Sequence, residues 1–314
     1  MSLVNLYKAV ADESRLRLVH ILSHGYFSVQ ELTSVLKLRQ PTVSHHLRVL
    51  QQAGITKLQR EGTWAFYTIA ADSSQKQIGA FLLSFLELIH SEERSLKELL
   101  EKDEKALAAV IAGRRDHSTK FFDSVAKKWN ELRHEALGPE PFLESLLRRI
   151  PEKETLLELG CGTGTLLTKL LPRSGRSIGV DASPAMLEEA RQTLSQYSAN
   201  VDLRLGYLEH LPIPNAEIDT ALAYMVLHHV PVPQEALADA ARVLKRTGRL
   251  IVVDLNKHGN EELRQKFADL WLGFDPNQVS NWAEAAGLAA EQLEFFGEKQ
   301  EVFILTLIKK GEKA

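Results

Sequence analysis

The chain has 314 residues, 44% of them hydrophobic and 25% charged, which is room for about two domains with cores of their own and excludes a disordered or low-complexity protein. A single cysteine, Cys161, excludes an internal disulfide and points to a reducing cytoplasm; no apolar run is long enough to span a bilayer, and the first ten residues carry no signal-peptide pattern. The net charge of −3 divides unevenly: residues 1–75 hold 8 Lys and Arg against 5 Asp and Glu, the remainder 30 against 36, and no acid falls between Leu32 and Arg60. A basic patch in an otherwise acidic chain is the footprint expected of a nucleic-acid contact, although an ordinary solvated face would look the same.

Taken in chain order, Leu3–Asp12 and Ser14–Gly25 carry apolar residues at helical spacing. Ser28 with Glu31 three positions on is a capping box that opens a third helix. Pro41 starts a fourth, at a position where proline is tolerated, and Ala53-Gly54 ends it after Gln52. Residues 55–69 alternate on both sides of Glu61-Gly62, which reads as a β-hairpin. From about Ser74 the sequence predicts a long helix. Its narrow stripe of Ile78, Leu82, Phe85, Ile89, Leu96 and Leu99 suits pairing with a second copy, so a homodimer is expected. The character changes near residues 101–118, which we read as a helical linker between a first domain over 1–100 and a second over 119–314.

The fourth helix and the hairpin together have the order of a helix-turn-helix with a wing. Its early residues Gln40, Thr42, Ser44 and His45 can hydrogen-bond to base edges of operator DNA, while Arg48, Lys57 and Arg60 are placed to meet phosphates. Val43, Leu47 and Leu50 form the inward face. ADESRLRLVHIL, PTVSHHLRVLQQAGI and the glycine-containing hairpin resemble the ArsR-type winged-helix repressors over roughly residues 3–100. Members of that family often sense metals through cysteines on the helix before the turn. That helix, SVQELTSVLKL, has none here, and His90 and Glu93 read as solvated surface, so no metal is expected.

From Thr155 onward strands and helices alternate, which predicts a mainly parallel sheet covered by helices on both faces. Candidate strands are TLLELG, SIGVD, VDLRLG, IDTALAYM, RLIVVDL and an antiparallel pair within residues 293–310. After the first strand, Gly160, Gly162 and Gly164 make a glycine turn that brings backbone close to a ligand. ELGCGTG, IGVDASPAML, LRLGYLEHLPIP and AYMVLHHV resemble the class I S-adenosylmethionine-dependent methyltransferases over about Phe121–Lys309, a Rossmann-like α/β fold. The resemblance implies S-adenosylmethionine or S-adenosylhomocysteine as ligand, held by Glu158, the three glycines, Asp181 on the ribose hydroxyls, Ala182, Met186 on the adenine, Leu208, and Ala223 with Tyr224. Tyr207 stands where the family usually has an acid. Phe122 and Trp129, in the segment Phe121–Arg133, resemble the aromatic lid over the cofactor. Cys161 reads as a packing residue.

The expected architecture is therefore an N-terminal mainly α winged helix joined by a long helix to a parallel sheet with an antiparallel C-terminal strand. Two uses of the second domain stay open. One is a sensor of S-adenosylhomocysteine or S-adenosylmethionine controlling operator binding, as in the S-adenosylhomocysteine-responsive regulators of methionine-cycle genes that the fusion resembles. The other is an active small-molecule methyltransferase, for which His228, Asp254 and His258 are the weak catalytic candidates. Arsenite methylation lacks the thiolates it needs, and no motif for methylation of a flipped base is present. The sensor is the reading the sequence favours.

Overall fold

A computed structural model describes residues 3–70, 94–137, 140–197 and 200–310. The stripe from Ser74 to Ile89, and His90 with Glu93, lie outside them. The chain divides into two compact units, Met1–Arg114 and Arg115–Ala314, and the boundary falls inside one continuous helix, Arg94–Val125, which joins them. Among the described residues no helix is long and apolar enough to cross a membrane.

The first unit is mainly helical. Helices α1 (Leu3–Val10), α2 (Glu13–Ser23), α3 (Val29–Leu36) and α4 (Gln40–Gln52) precede a hairpin of β2 (Thr56–Glu61) and β3 (Trp64–Ile69). The capping box forms as expected: Glu31 donates its N–H to the Ser28 hydroxyl at 3.3 Å, and its carboxylate accepts from the Ser28 N–H at 2.8 Å. Such a cap contributes about 1 kcal/mol. A two-residue strand β1 (Phe27–Ser28) adds to β3 as the third strand, which local patterning did not show. Leu18, Ile21, Leu22, Leu32, Val43, Leu47 and Leu50 are sealed into one core.

The part of α5 (Arg94–Val125) in this unit is anchored by buried charge. Asp103 accepts two hydrogen bonds of 2.7 Å from Arg17. Arg114 donates two bonds of 2.8 Å to Glu31 and one of 3.0 Å to the Tyr26 carbonyl, with its guanidinium over Phe27. Bidentate arginine pairs of this kind are the stronger class of ion pair.

The second unit is a seven-stranded sheet in the order β6-β5-β4-β7-β8-β10-β9. Its strands are β4 (Thr155–Leu159), β5 (Arg176–Asp181), β6 (Val201–Leu205), β7 (Ile218–Tyr224), β8 (Leu244–Leu255), β9 (Leu288–Phe296) and β10 (Val302–Lys309). The first five are parallel, and β10 runs antiparallel between β8 and β9. Strands in the middle of the sheet are buried on both faces, which explains the mostly apolar runs in β4, β7 and the antiparallel β10. The order reverses between β4 and β7, and the crevice at the carboxyl ends of such strands is where α/β sheets bind ligands. The segment Phe121–Arg133 is not one helix. α5 ends at Val125, a 3₁₀ turn covers Ala126–Lys128, and α6 (Trp129–Leu137) follows.

Candidate functional site

On the first unit, α4 turns Val43, Leu47 and Leu50 inward and leaves Gln40, Thr42, His45 and Arg48 exposed, with Ser44 half-buried. The spacing of three and four residues forces this division. Arg60 is exposed on β2, and Lys57, three residues earlier on the same strand, is half-buried. The sequence reading missed Trp64, which is 49% exposed at the tip of the hairpin and stacks on Phe66 at 5.9 Å. His46 faces the unit's interior and pairs with Asp12 at 3.7 Å; burial holds its pKa below the usual histidine value.

A helix that presents polar and cationic groups on one face allows a specific expectation. If α4 meets DNA as the sequence leads one to expect, Arg48→Ala should weaken binding to every duplex and lower the slope of log affinity against log salt by about 1, the loss expected for one phosphate contact. Ser44→Ala and His45→Ala should instead cost roughly 1–3 kcal/mol on the preferred site and little on random DNA. Anisotropy titrations over a salt series separate the two behaviours, and unchanged binding by all three variants would place the DNA elsewhere.

On the second unit, the carboxyl ends of β4, β5 and β7 open onto a cavity of about 900 Å³. Glu158, Gly160, Gly162, Asp181, Ala182, Met186, Tyr207, Leu208, Tyr224, Phe122 and Trp129 all line it. Gly164 and Ala223 do not. Gly164, in the left-handed region at φ 74°, starts helix α8 (Thr165–Leu170), and Ala223 is buried within β7. Of the catalytic candidates, His228 and His258 line the cavity, whereas Asp254 is fully buried in β8 behind His228.

The glycine loop is shaped by contacts. Gly160 has φ 68°, and a Cβ there would lie 2.2 Å from a Val226 methyl. Gly162, at φ 52°, lies under Trp129, whose Nε1 would be 3.8 Å from an added Cβ. Asp181 closes the loop: its carboxylate accepts from the Gly162 N–H at 2.8 Å and from the Ser183 N–H at 2.9 Å. Asn130 on α6 accepts from the hydroxyls of Thr163 at 2.7 Å and Thr165 at 3.1 Å, which ties the aromatic segment to the loop. Phe122 meets Trp129 edge-on, with ring centroids 5.1 Å apart.

The cavity floor is acidic. Burial pushes the Glu158 carboxyl up to about 8, against the pull of Arg133 and with the help of Asp181, and one Glu158 oxygen has no hydrogen-bond partner among the described residues. Burial also raises Asp181, opposed by its backbone donors. Arg133, which the sequence reading did not pick out, lies over the Tyr224 ring, donates to its hydroxyl at 2.8 Å and pairs with Glu140. A buried acid beside a half-buried one favours a ligand that brings a cationic group and hydroxyl donors.

The raised Glu158 has a sign. Between the ordinary carboxyl value of 4.5 and about 8 the folded protein holds a proton that the unfolded chain has lost, so stability falls as pH rises through this window. Glu158→Gln removes that loss, which is on the order of a few kcal/mol. The ligand-free variant should melt several degrees above wild type at pH 9 and close to it at pH 4. Equal melting temperatures at pH 9 would show that Glu158 is solvated.

At the other wall Tyr207 is 40% exposed, with the Arg115 guanidinium 5.2 Å from its ring centroid. Glu209, two residues on and only 4% exposed, is paired with Arg115 at 3.2 Å. This wall therefore carries a carboxylate two positions on from Tyr207, already engaged by an arginine from α5. Cys161 is buried in the loop and packs against Gly179, and burial raises its thiol well above the usual value, so it is inert.

Comparison with known proteins agrees with both halves. Residues 12–57 match the family described as bacterial regulatory protein, arsR family, and residues 157–252 match the methyltransferase domain family. A biofilm growth-associated repressor of Agrobacterium fabrum is 42% identical over 80 residues, which are 26% of this chain and 68% of the repressor. An uncharacterised 37.1 kDa protein in transposon TN4556 of Streptomyces fradiae is 34% identical over 169 residues, 50% of this chain; the chain spans only 45% of that relative's length. Among solved structures, a chain of the complex between the Haloferax volcanii Trm112 methyltransferase activator and a methyltransferase superposes with a TM-score of 0.51 at 18% identity, covering 61% of this chain and 98% of that one. That likeness shows the fold.

The chain therefore joins a winged-helix unit of the arsR type, through one helix, to a methyltransferase domain of class I fold. The chain belongs to the arsR family of bacterial regulatory proteins.

Proposed function

We propose that the second unit binds S-adenosylhomocysteine or S-adenosylmethionine, and that its occupancy controls operator binding by the first, as a cytoplasmic homodimeric repressor. Methionine-cycle genes are the targets that the resemblance of the fusion suggests. The observation that carries the reading is a pair of consecutive residues on α5. Arg114 is bound to Glu31 at the capping box of the helix that precedes the turn, and Arg115 is bound to Glu209 in the cavity wall. One helix thus ends its grip on the DNA-binding unit where it begins its grip on the ligand wall. A ligand that takes up Glu209 or stacks on Tyr207 competes for Arg115 and perturbs the helix that Arg114 holds.

The catalytic alternative has less support. Burial opposes a charge on His228, but Asp254 and Asp269 outweigh it and push the imidazole up to about 9, while Asp254 itself does not reach the cavity. The deciding experiment pairs operator titrations, with and without each adenosyl compound, with a methyl-transfer screen on the same preparation. Ligand-dependent operator affinity without turnover supports the regulator; turnover with ligand-independent operator affinity supports the enzyme.

A further inference from the structure

Three side chains that the adenosyl site does not use converge on the cavity wall. His228 and His229 lie in the 3₁₀ turn Leu227–His229 that follows β7, and Asp269 lies beyond helix α11 (Glu261–Phe267). Backbone bonds hold them together without using their side chains. The N–H groups of Leu270 and Trp271 both donate to the His228 carbonyl at 3.0 Å, and the Trp271 indole donates to the Val230 carbonyl at 2.7 Å. Arg264 donates to the carbonyls of Asp269 at 3.2 Å and Leu270 at 2.6 Å.

The side chains then face one another. His228 Nδ1 is 2.6 Å from an Asp254 oxygen, which orients the ring so that Nε2 points towards Asp269, 3.9 Å from its Oδ1. His229 Nδ1 lies 3.6 Å from the same oxygen. His229 is 7% exposed and Asp269 3%, and neither that nitrogen nor that oxygen has a hydrogen-bond partner among the described residues. The His229 ring bonds to the backbone of Ala268 through its other nitrogen, which leaves Nδ1 as a lone pair, and a lone pair and a carboxylate oxygen are both acceptors. Held this close in a buried wall, they call for a positive charge between them, which a proton on His228 Nε2, 3.9 Å from the same oxygen, supplies in the absence of an ion and which a bound ion would replace.

We propose that His228 Nε2, His229 Nδ1 and Asp269 Oδ1 form a site for one divalent transition-metal ion, with Asp254 as the positioning residue behind His228. The three ligand atoms lie within 4.8 Å of one another. Bonds of about 2.0–2.2 Å need ligand atoms roughly 3–3.5 Å apart, so closure asks for movements of about an ångström or less. Two imidazoles and one carboxylate suit the borderline ions from iron to zinc better than magnesium or calcium. A carboxylate behind a ligating histidine is the usual means of fixing its tautomer and orientation. Three protein ligands leave coordination positions free towards the cavity, where a carboxylate or hydroxyl of a second small molecule can bind. Phe122 of the aromatic lid packs edge-on against His229 at 4.8 Å, so the ion and the adenosyl ligand share a wall. The site does not require that the adenosyl compound control DNA binding, and its test reads metal alone.

Metal-stripped full-length protein titrated with Co²⁺ should develop visible absorption with a stoichiometry of one per chain, displaced by Zn²⁺. His229→Ala and Asp269→Asn should each weaken binding at least 100-fold, and Asp254→Asn by roughly 10–100-fold. A second cluster, His20, His24 and Glu104 in the first unit, is a rival, and the His20→Ala/His24→Ala double variant should leave the signal intact. X-ray absorption of the zinc-loaded wild type should count two imidazoles and one carboxylate, which decides the matter even where a buried substitution prevents folding. Failure of the wild type to bind saturably would mean that a proton fills the gap and would overturn the site. So would binding that survives both ligand substitutions, that follows His20 and His24, or that shows another ligand shell.

Discussion

Asp181→Ala should cost at least tenfold in affinity for S-adenosylhomocysteine. The carboxylate has two duties. It accepts the N–H groups of Gly162 and Ser183, which sets the turn after β4 and the start of the helix after β5. Its remaining lone pairs face the cavity, where two ribose hydroxyls would bond to a charged acceptor, each bond contributing roughly 1.5–3 kcal/mol. Truncation removes both and leaves two buried donors unpaired. Gly160→Val should be more severe still. At φ 68° any side chain is strained, and its first carbon would lie 2.2 Å from Val226, so the loop must move. Gly113→Ala is the control, since a Cβ on that helical glycine meets nothing within 4 Å. Calorimetry on the three variants decides the point. Wild-type affinity in Asp181→Ala would refute the proposed ligand site; weak binding by Gly113→Ala would mean that the losses are general.

What the sequence made legible was local. The capping box, the inward face of α4 and the glycine loop each depend on residues within one or two turns of each other, and periodicity reports such spacing directly. The strand β9 was read only from Leu293, although it starts at Leu288. LAAEQ has the composition of a helix, and only pairing with β10 at the sheet edge makes it extended. The two-residue strand Phe27–Ser28 forms because β3, some forty residues later, lies beside it. The chemistry of the cavity wall was harder to see for the same reason. Glu209 matters because Arg115 reaches it, and Asp269 because a backbone ladder brings it to His228. No spacing rule encodes pairs separated by forty to ninety residues. Tyr207 stands out in the sequence as a departure from the pattern it resembles, whereas the pairing of Glu209 with Arg115 is set by the fold.

The second large effect is coupling. S-adenosylhomocysteine should weaken operator binding by about 5–150-fold, the range that 1–3 kcal/mol of coupling allows. S-adenosylmethionine should do so less, since the two differ only by a methyl group and the sulfonium charge. Arg115 is the residue on which the coupling should turn, because it is the α5 side chain that holds both Tyr207 and Glu209. Arg115→Ala should keep operator affinity near that of the ligand-free wild type and lose most of the response. Arg114→Ala, which breaks the pair with Glu31, should instead disturb the first unit itself and lower operator affinity with or without ligand. Thermodynamic linkage gives a check that does not depend on the direction of the response. Saturating operator must weaken S-adenosylhomocysteine binding by the factor by which the ligand weakens operator binding. Equal ligand affinity with and without operator would end the sensor reading and leave the cavity as that of an enzyme carried by a DNA-binding domain.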